Sequence, residues 1–144
     1  MKLMLLLALL TGAVWAQPSD LAAIAAEKDP EKRYVQALDF AASRIGSARK
    51  HYQHGEIEAF RAALSTMKEA VELSDATLRG TGQNPSKKPK HFKRAELKIR
   101  DMLKRLRNFA QDVSVIDRDV VTTTHARLNV IHEELLLDIM GRRK

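Results

Sequence analysis

Apolar residues recur along this chain at alternating intervals of three and four, the spacing that lines one face of an α-helix. Tyr34, Leu38, Ala41, Ile45, Ala48 and Tyr52 form the first long series, which stops at Gly55. Ile57, Phe60, Leu64, Met67, Val71, Ser74 and Leu78 form the second, interrupted only by the polar Ser74 and closed by Gly80 and Gly82. The third is the longest: Phe92, Ala95, Ile99, Met102, Leu106, Phe109, Val113 and Ile116, broadened by Leu103 and Ala110. It predicts a helix from about His91 to Val113. A fourth helix, capped by Asp117 or Asp119, faces Val121, Thr124, Leu128, Ile131 and Leu135 inward until Gly141 ends it. Ahead of these, Ser19 caps a short helix carrying Leu21, Ala22, Ile24 and Ala25, and Asp29-Pro30 is a start signal for the first long helix.

A helix with a single apolar stripe cannot bury it alone, and short connections place sequential helices antiparallel. The expected fold is therefore all-α: an up-down-up-down antiparallel four-helix bundle with a short extra N-terminal helix. Ile99, Met102, Leu106 and Phe109 should be buried with Ile45, Phe60, Leu64, Leu128 and Ile131. The loop "GTGQNPSKKP" over 80–89, with two Gly, two Pro and no apolar side chain, reads as a connector.

The first residues change the picture of where this bundle works. Residues 1–16 hold one Lys, an apolar run from Leu3 to Leu10, and small side chains at Val14 and Ala16, the layout of a secretory signal peptide. The run is too short for a membrane span, which needs roughly 20 residues. Cleavage after Ala16 is expected, leaving a mature chain from Gln17 in the periplasm or outside the cell. The expected organisation is a signal peptide over 1–16, a short helix and linker over 17–29, the bundle over 30–140 and a basic tail over 141–144. The absence of cysteine excludes disulfides, thiolate metal sites and a lipid-modified N-terminal Cys. With Trp15 removed, six aromatic residues remain, so the core must be built mainly from aliphatic side chains and Ala.

Charge singles out one element. Between Lys87 and Arg107 there are ten Lys/Arg and two acids, a balance of +8, against fourteen basic and sixteen acidic residues in the rest of the chain after residue 16. Lys87, Lys88, Lys90, Lys93 and Arg94 crowd the start of the third long helix, where the helix dipole favours anions and each cation costs about 0.3–1 kcal/mol. Lys93, Arg100 and Arg107 form one seven-residue line and Lys98 and Arg105 another, on opposite flanks of the apolar stripe. The bland account is a solvated face partly neutralised by neighbouring acids. The functional account is a site for an anionic envelope polymer, a lipid headgroup or an acidic protein, formed by Lys87, Lys88, Lys90, Lys93, Arg94, Lys98, Arg100 and Arg107. Nucleic acid fits less well, since export and the lack of an accompanying aromatic series both argue against it.

Other chemistry is weaker. His51, His54 and Glu58 could meet across the Gly55 turn as a metal site, but histidines in the last turn of a helix also complement its negative end. "HEELL" from His132 to Leu136 fails as a zinc motif because its second histidine position is Leu136. His125 and His132, seven residues apart, could face a partner helix or titrate near neutral pH. No nucleophile motif, Gly-rich phosphate loop or Glu-x-x-His is present. A non-enzymatic binding module without cofactor is expected, with a structural helix-pairing protein or a metal-binding bundle as alternatives.

Two resemblances accompany this reading. Ala48-x3-Tyr52-x2-Gly55-Glu56 is similar to the turn between the paired helices of a tetratricopeptide repeat, without the repeat period of such arrays. "PKHFKRAELKIR", "IDRD" and "IHEELLLDIMG" behind a signal peptide resemble a group of small exported bacterial helical proteins. That resemblance implies export and helices, and carries no catalytic residue.

Overall fold

A computed structural model of the chain describes residues 20–142; the signal-peptide reading, the Ser19 cap and the last two residues of the basic tail fall outside them. Every regular element among the described residues is an α-helix: α1 (Asp20–Ala25), α2 (Pro30–Gln53), α3 (Ile57–Gly80), α4 (Lys90–Asp112) and α5 (Val115–Ile139). Their ends follow from local chemistry. The Asp29 carboxylate accepts from Glu31 N at 2.9 Å and Pro30 opens α2, which uses a ring without N–H where no intrahelical partner exists. Gly55, Gly82 and Gly141 adopt φ of 72°, 69° and 67° beyond the ends of α2, α3 and α5, a backbone region that costs glycine little.

One expectation about a boundary fails. The cap of α5 is Ser114, not Asp117 or Asp119: its hydroxyl receives Asp117 N at 3.3 Å and donates to Asp117 Oδ2 at 2.9 Å. The helix thus begins at Val115, and Ile116 is carried out of the α4 stripe into a solvent-facing first turn, where it is 86% exposed. Tyr52 Oη and the Arg118 guanidinium close the junction by binding Ser114 N and the carbonyls of Ala110 and Val113.

The remaining stripes meet as predicted. Ile99, Met102, Leu106 and Phe109 lie in one buried cluster with Ile45, Phe60, Leu64, Leu128 and Ile131. Tilted and edge-on contacts of Tyr52, Phe60 and Phe109, with ring centroids 5.1–6.3 Å apart, fill the Gly55 end. Leu21 of α1 packs on the outside of this core.

Packing is tightest within two hairpins, α2–α3 and α4–α5, while α3 and α4 barely touch. Across the hairpins, α2 runs alongside α4 in the same direction: Tyr34 meets His91, Asp39 meets Lys98, Ala42 meets Arg105 and Asp112 meets Arg49. α3 and α5 are likewise parallel neighbours through Glu72–Arg127 and Arg79–Asp138. The 81–89 connection makes this possible. It is long enough to carry the chain across one end, and Asn84 folds it by accepting Lys88 N at its carbonyl (2.8 Å) and Ser86 N at its side chain (3.0 Å). Gly141 lies against this loop: a Cβ there would stand in ordinary contact, 3.5 Å from that of Ser86.

Candidate functional site

α4 is the helix whose apolar and charged faces separate most completely. Phe92, Ala95, Ile99, Met102, Leu106 and Phe109 are all buried on one side, so every long basic side chain is forced to the flanks or outward. Pro89 stands at its N-cap without a side-chain cap bond, and its first turn contains no acid. The positive end of the helix dipole is therefore surrounded by Lys87, Lys88, Lys90 and Lys93, all exposed.

The eight basic residues singled out in the sequence separate into two groups. Three are used inside the bundle. Lys98 pairs with Asp39 of α2, Arg100 binds Glu96 through Nε and Nη2 at 2.9 and 2.7 Å, and the Arg94 guanidinium lies beside the Tyr34 hydroxyl. The other five, Lys87, Lys88, Lys90, Lys93 and Arg107, have no side-chain hydrogen bond or ion pair among the described residues. Lys104, not among the eight, is also exposed and has no partner among the described residues. The two predicted flanks are real but unequal. Lys98 and Arg105 turn to α2, where Arg105 donates to the Ala42 carbonyl, whereas Arg100 and Arg107 flank α5.

The bundle also holds polar groups that spacing alone did not reveal. Glu96, only 4% exposed, interrupts the apolar face of α4 and accepts from His132 Nε2 of α5 at 2.7 Å as well as from Arg100. Its place at one step from Ala95 in the stripe is the signal that marks it. At the end of the bundle near the 81–89 loop, Tyr34 Oη lies 2.8 Å from His91 Nδ1. Burial raises the Tyr34 pKa, with the nearby Arg94 opposing it, so the phenol stays protonated and can donate to His91. His125 faces Arg107: burial and this cation both lower its pKa, and its Nε2 is buried without a hydrogen-bond partner.

The proposed His51/His54/Glu58 grouping does not form. Glu56, rather than Glu58, reaches the histidines, at 3.2 Å from His51 Nδ1 and 3.7 Å from His54 Nδ1. The reason is the tight turn, in which Glu56 N bonds the His51 carbonyl and brings Glu56 back over the end of α2. Among the described residues no cluster of three His, Asp or Glu side chains has metal-holding geometry. Nor is any helix among them long and apolar enough to cross a membrane.

Shallow grooves run between the helices. The one between α4 and α5, about 500 Å³, is lined by Leu97, Leu103, Arg100, Lys104, Arg107 and His132 among others. Comparison of the chain with family models, with curated proteins and with solved structures finds no match.

Proposed function

We propose that this is a non-enzymatic, exported helical module that binds a phosphate-bearing envelope polymer or lipid headgroup layer through the 81–89 loop and the first turn of α4. The observation that carries the reading is the cluster Lys87, Lys88, Lys90 and Lys93, exposed and without a partner among the described residues, at an uncapped helix start. These four cations are exposed, meet no acid among the described residues and oppose the helix dipole. An external anion would offset that cost, because unpaired N–H groups and lysine ammonium groups both favour negative charge. Lys98 and Arg94, engaged with Asp39 and Tyr34, tie α4 to α2, and Arg100 is spent on Glu96 within α4.

Export supports this class of ligand over nucleic acid, since the expected compartment is rich in surface phosphate and poor in nucleic acid. The experiment is co-sedimentation of the mature protein with anionic and zwitterionic vesicles, alongside a variant with Lys87, Lys88, Lys90 and Lys93 replaced by Gln. At about 1 kcal/mol for each lysine near an anionic surface, the variant should lose roughly a thousandfold in affinity for the anionic vesicles. Equal partitioning of the two proteins would reduce the cluster to a solvated face.

A further inference from the structure

We propose a second surface, independent of the lysine cluster: the outer face of α5 and the groove beside α4 dock an acidic amphipathic helix from another protein. α5 differs from the other long helices in carrying apolar residues on two faces. Val121, Leu128, Ile131 and Leu135 are buried, yet Ala126, Val130, Leu137 and Met140 lie on the opposite, exposed side, in a line of four- and three-residue intervals that the acidic Glu133 interrupts. Val130, Leu137 and Met140 are 43%, 41% and 51% exposed. Large apolar side chains scattered singly on a surface need no explanation. Here they share a line at helical spacing, the pattern by which one helix seats another.

The groove continues this line toward α4. Asn129 and His132, next in the chain to Val130 and Glu133, form its α5 wall, and the 56%-exposed Leu97 stands in its α4 wall. Asn129 Nδ2 donates to Glu133 Oε1 at 2.9 Å, tying the groove wall to the exposed line. Along the α4 rim, Arg100, Lys104 and Arg107 succeed one another at intervals of four and three, with Asp101 as the acid of the lining. Arg100 spends its guanidinium on Glu96, whereas Lys104 and Arg107 are unpaired.

Charge decides what the occupant is. A second copy of this chain would bring the same cationic rim to a protein whose sequence already has a net charge of +7, and the like charges would repel. A foreign helix with an apolar stripe and Glu or Asp beside it meets both features at once: its stripe covers Val130, Leu137 and Leu97, and its acids meet Lys104 and Arg107. Steering by the basic rim would speed encounter, while the apolar line would hold the complex.

The probe is a synthetic three-heptad peptide with Leu at the seam and Glu on its flanks, set against the same peptide with Lys in place of Glu. Amide shifts of the purified protein should move over 97–107 and 126–140, and the Lys peptide should not bind. Val130→Ser with Leu137→Ser should weaken the Glu peptide about tenfold or more, and so should Lys104→Gln with Arg107→Gln at low salt. The second pair guards against any loss of folding in the first, because both of its residues are exposed and unpaired. Shifts confined to Lys87–Lys93 and unaffected by either pair would overturn the proposal in favour of unspecific charge attraction. Self-association of the protein without peptide, abolished by Val130→Ser with Leu137→Ser, would overturn it in favour of a second copy.

Discussion

At the scale of single residues, the α4–α5 seam holds two histidines in opposite circumstances. His132 donates from Nε2 to the buried Glu96, which also receives Arg100; deleting the carboxylate leaves a mostly buried imidazole without its acceptor. Glu96→Ala should therefore cost about 1–3 kcal/mol. A double-mutant cycle with His132→Ala, read by denaturant unfolding, should give a coupling of at least about 0.5 kcal/mol, and strict additivity would mean that the contact contributes nothing. His125, by contrast, is kept neutral by burial and by Arg107 of α4. Its pKa is lower folded than unfolded, so below its ordinary value near 6.5 the unfolded chain binds more protons. Stability should begin to fall as pH drops through that value and continue to fall until the folded-state pKa is passed. The difference in unfolding free energy between wild type and His125→Leu should change across this window and be flat above it. A difference independent of pH would show that His125 is not held neutral by the fold.

At the scale of elements, the four apolar series were legible because each stripe obeys one spacing and three of the four end at a glycine. Leu106, fully buried in the shared core, illustrates how far that goes. Its replacement by Ala should cost about 2–5 kcal/mol, measured by chemical denaturation, and a loss under about 0.5 kcal/mol would detach α4 from the core. The start of α5 was misread for a physical reason. Ile116 continues the α4 spacing numerically, but Ser114 and Asp117 bind each other and end that register before it arrives. A Ser followed three residues later by an acid was present in the sequence as a capping signal, outweighed by an apolar periodicity that ran across the boundary. The double-faced character of α5 was also hidden, since Val130 and Leu137 look like extra core residues until the neighbouring helices are in place.

Across the whole molecule, fold class was readable and helix adjacency was not. Spacing fixes which face of a helix is apolar but says nothing about which neighbour receives it, and an ordered nine-residue connection over 81–89 lets α4 settle beside α2 instead of α3. The charge excess was likewise visible as a sum, whereas its division was not: Asp39 and Tyr34 are far from the basic run in sequence, yet they engage Lys98 and Arg94, and Glu96 inside the run takes Arg100. What is left over is concentrated where α4 begins. From Lys93 to Lys104, the first cation of the α4–α5 rim without a partner among the described residues, is about 16 Å along the helix, so the unpaired charge falls into two groups that charge counting had merged.

That separation makes the central claim testable by one quantity, the salt dependence of binding to a linear polyphosphate. Each lysine that contacts a phosphate adds about one to the slope of log K against log salt concentration. Titration of wild type and of the variant with Lys87, Lys88, Lys90 and Lys93 replaced by Gln should give slopes that differ by about three to four, with circular dichroism unchanged. Slopes that coincide would contradict the account, because the unpaired lysines at the start of α4 would then take no part in holding an anion.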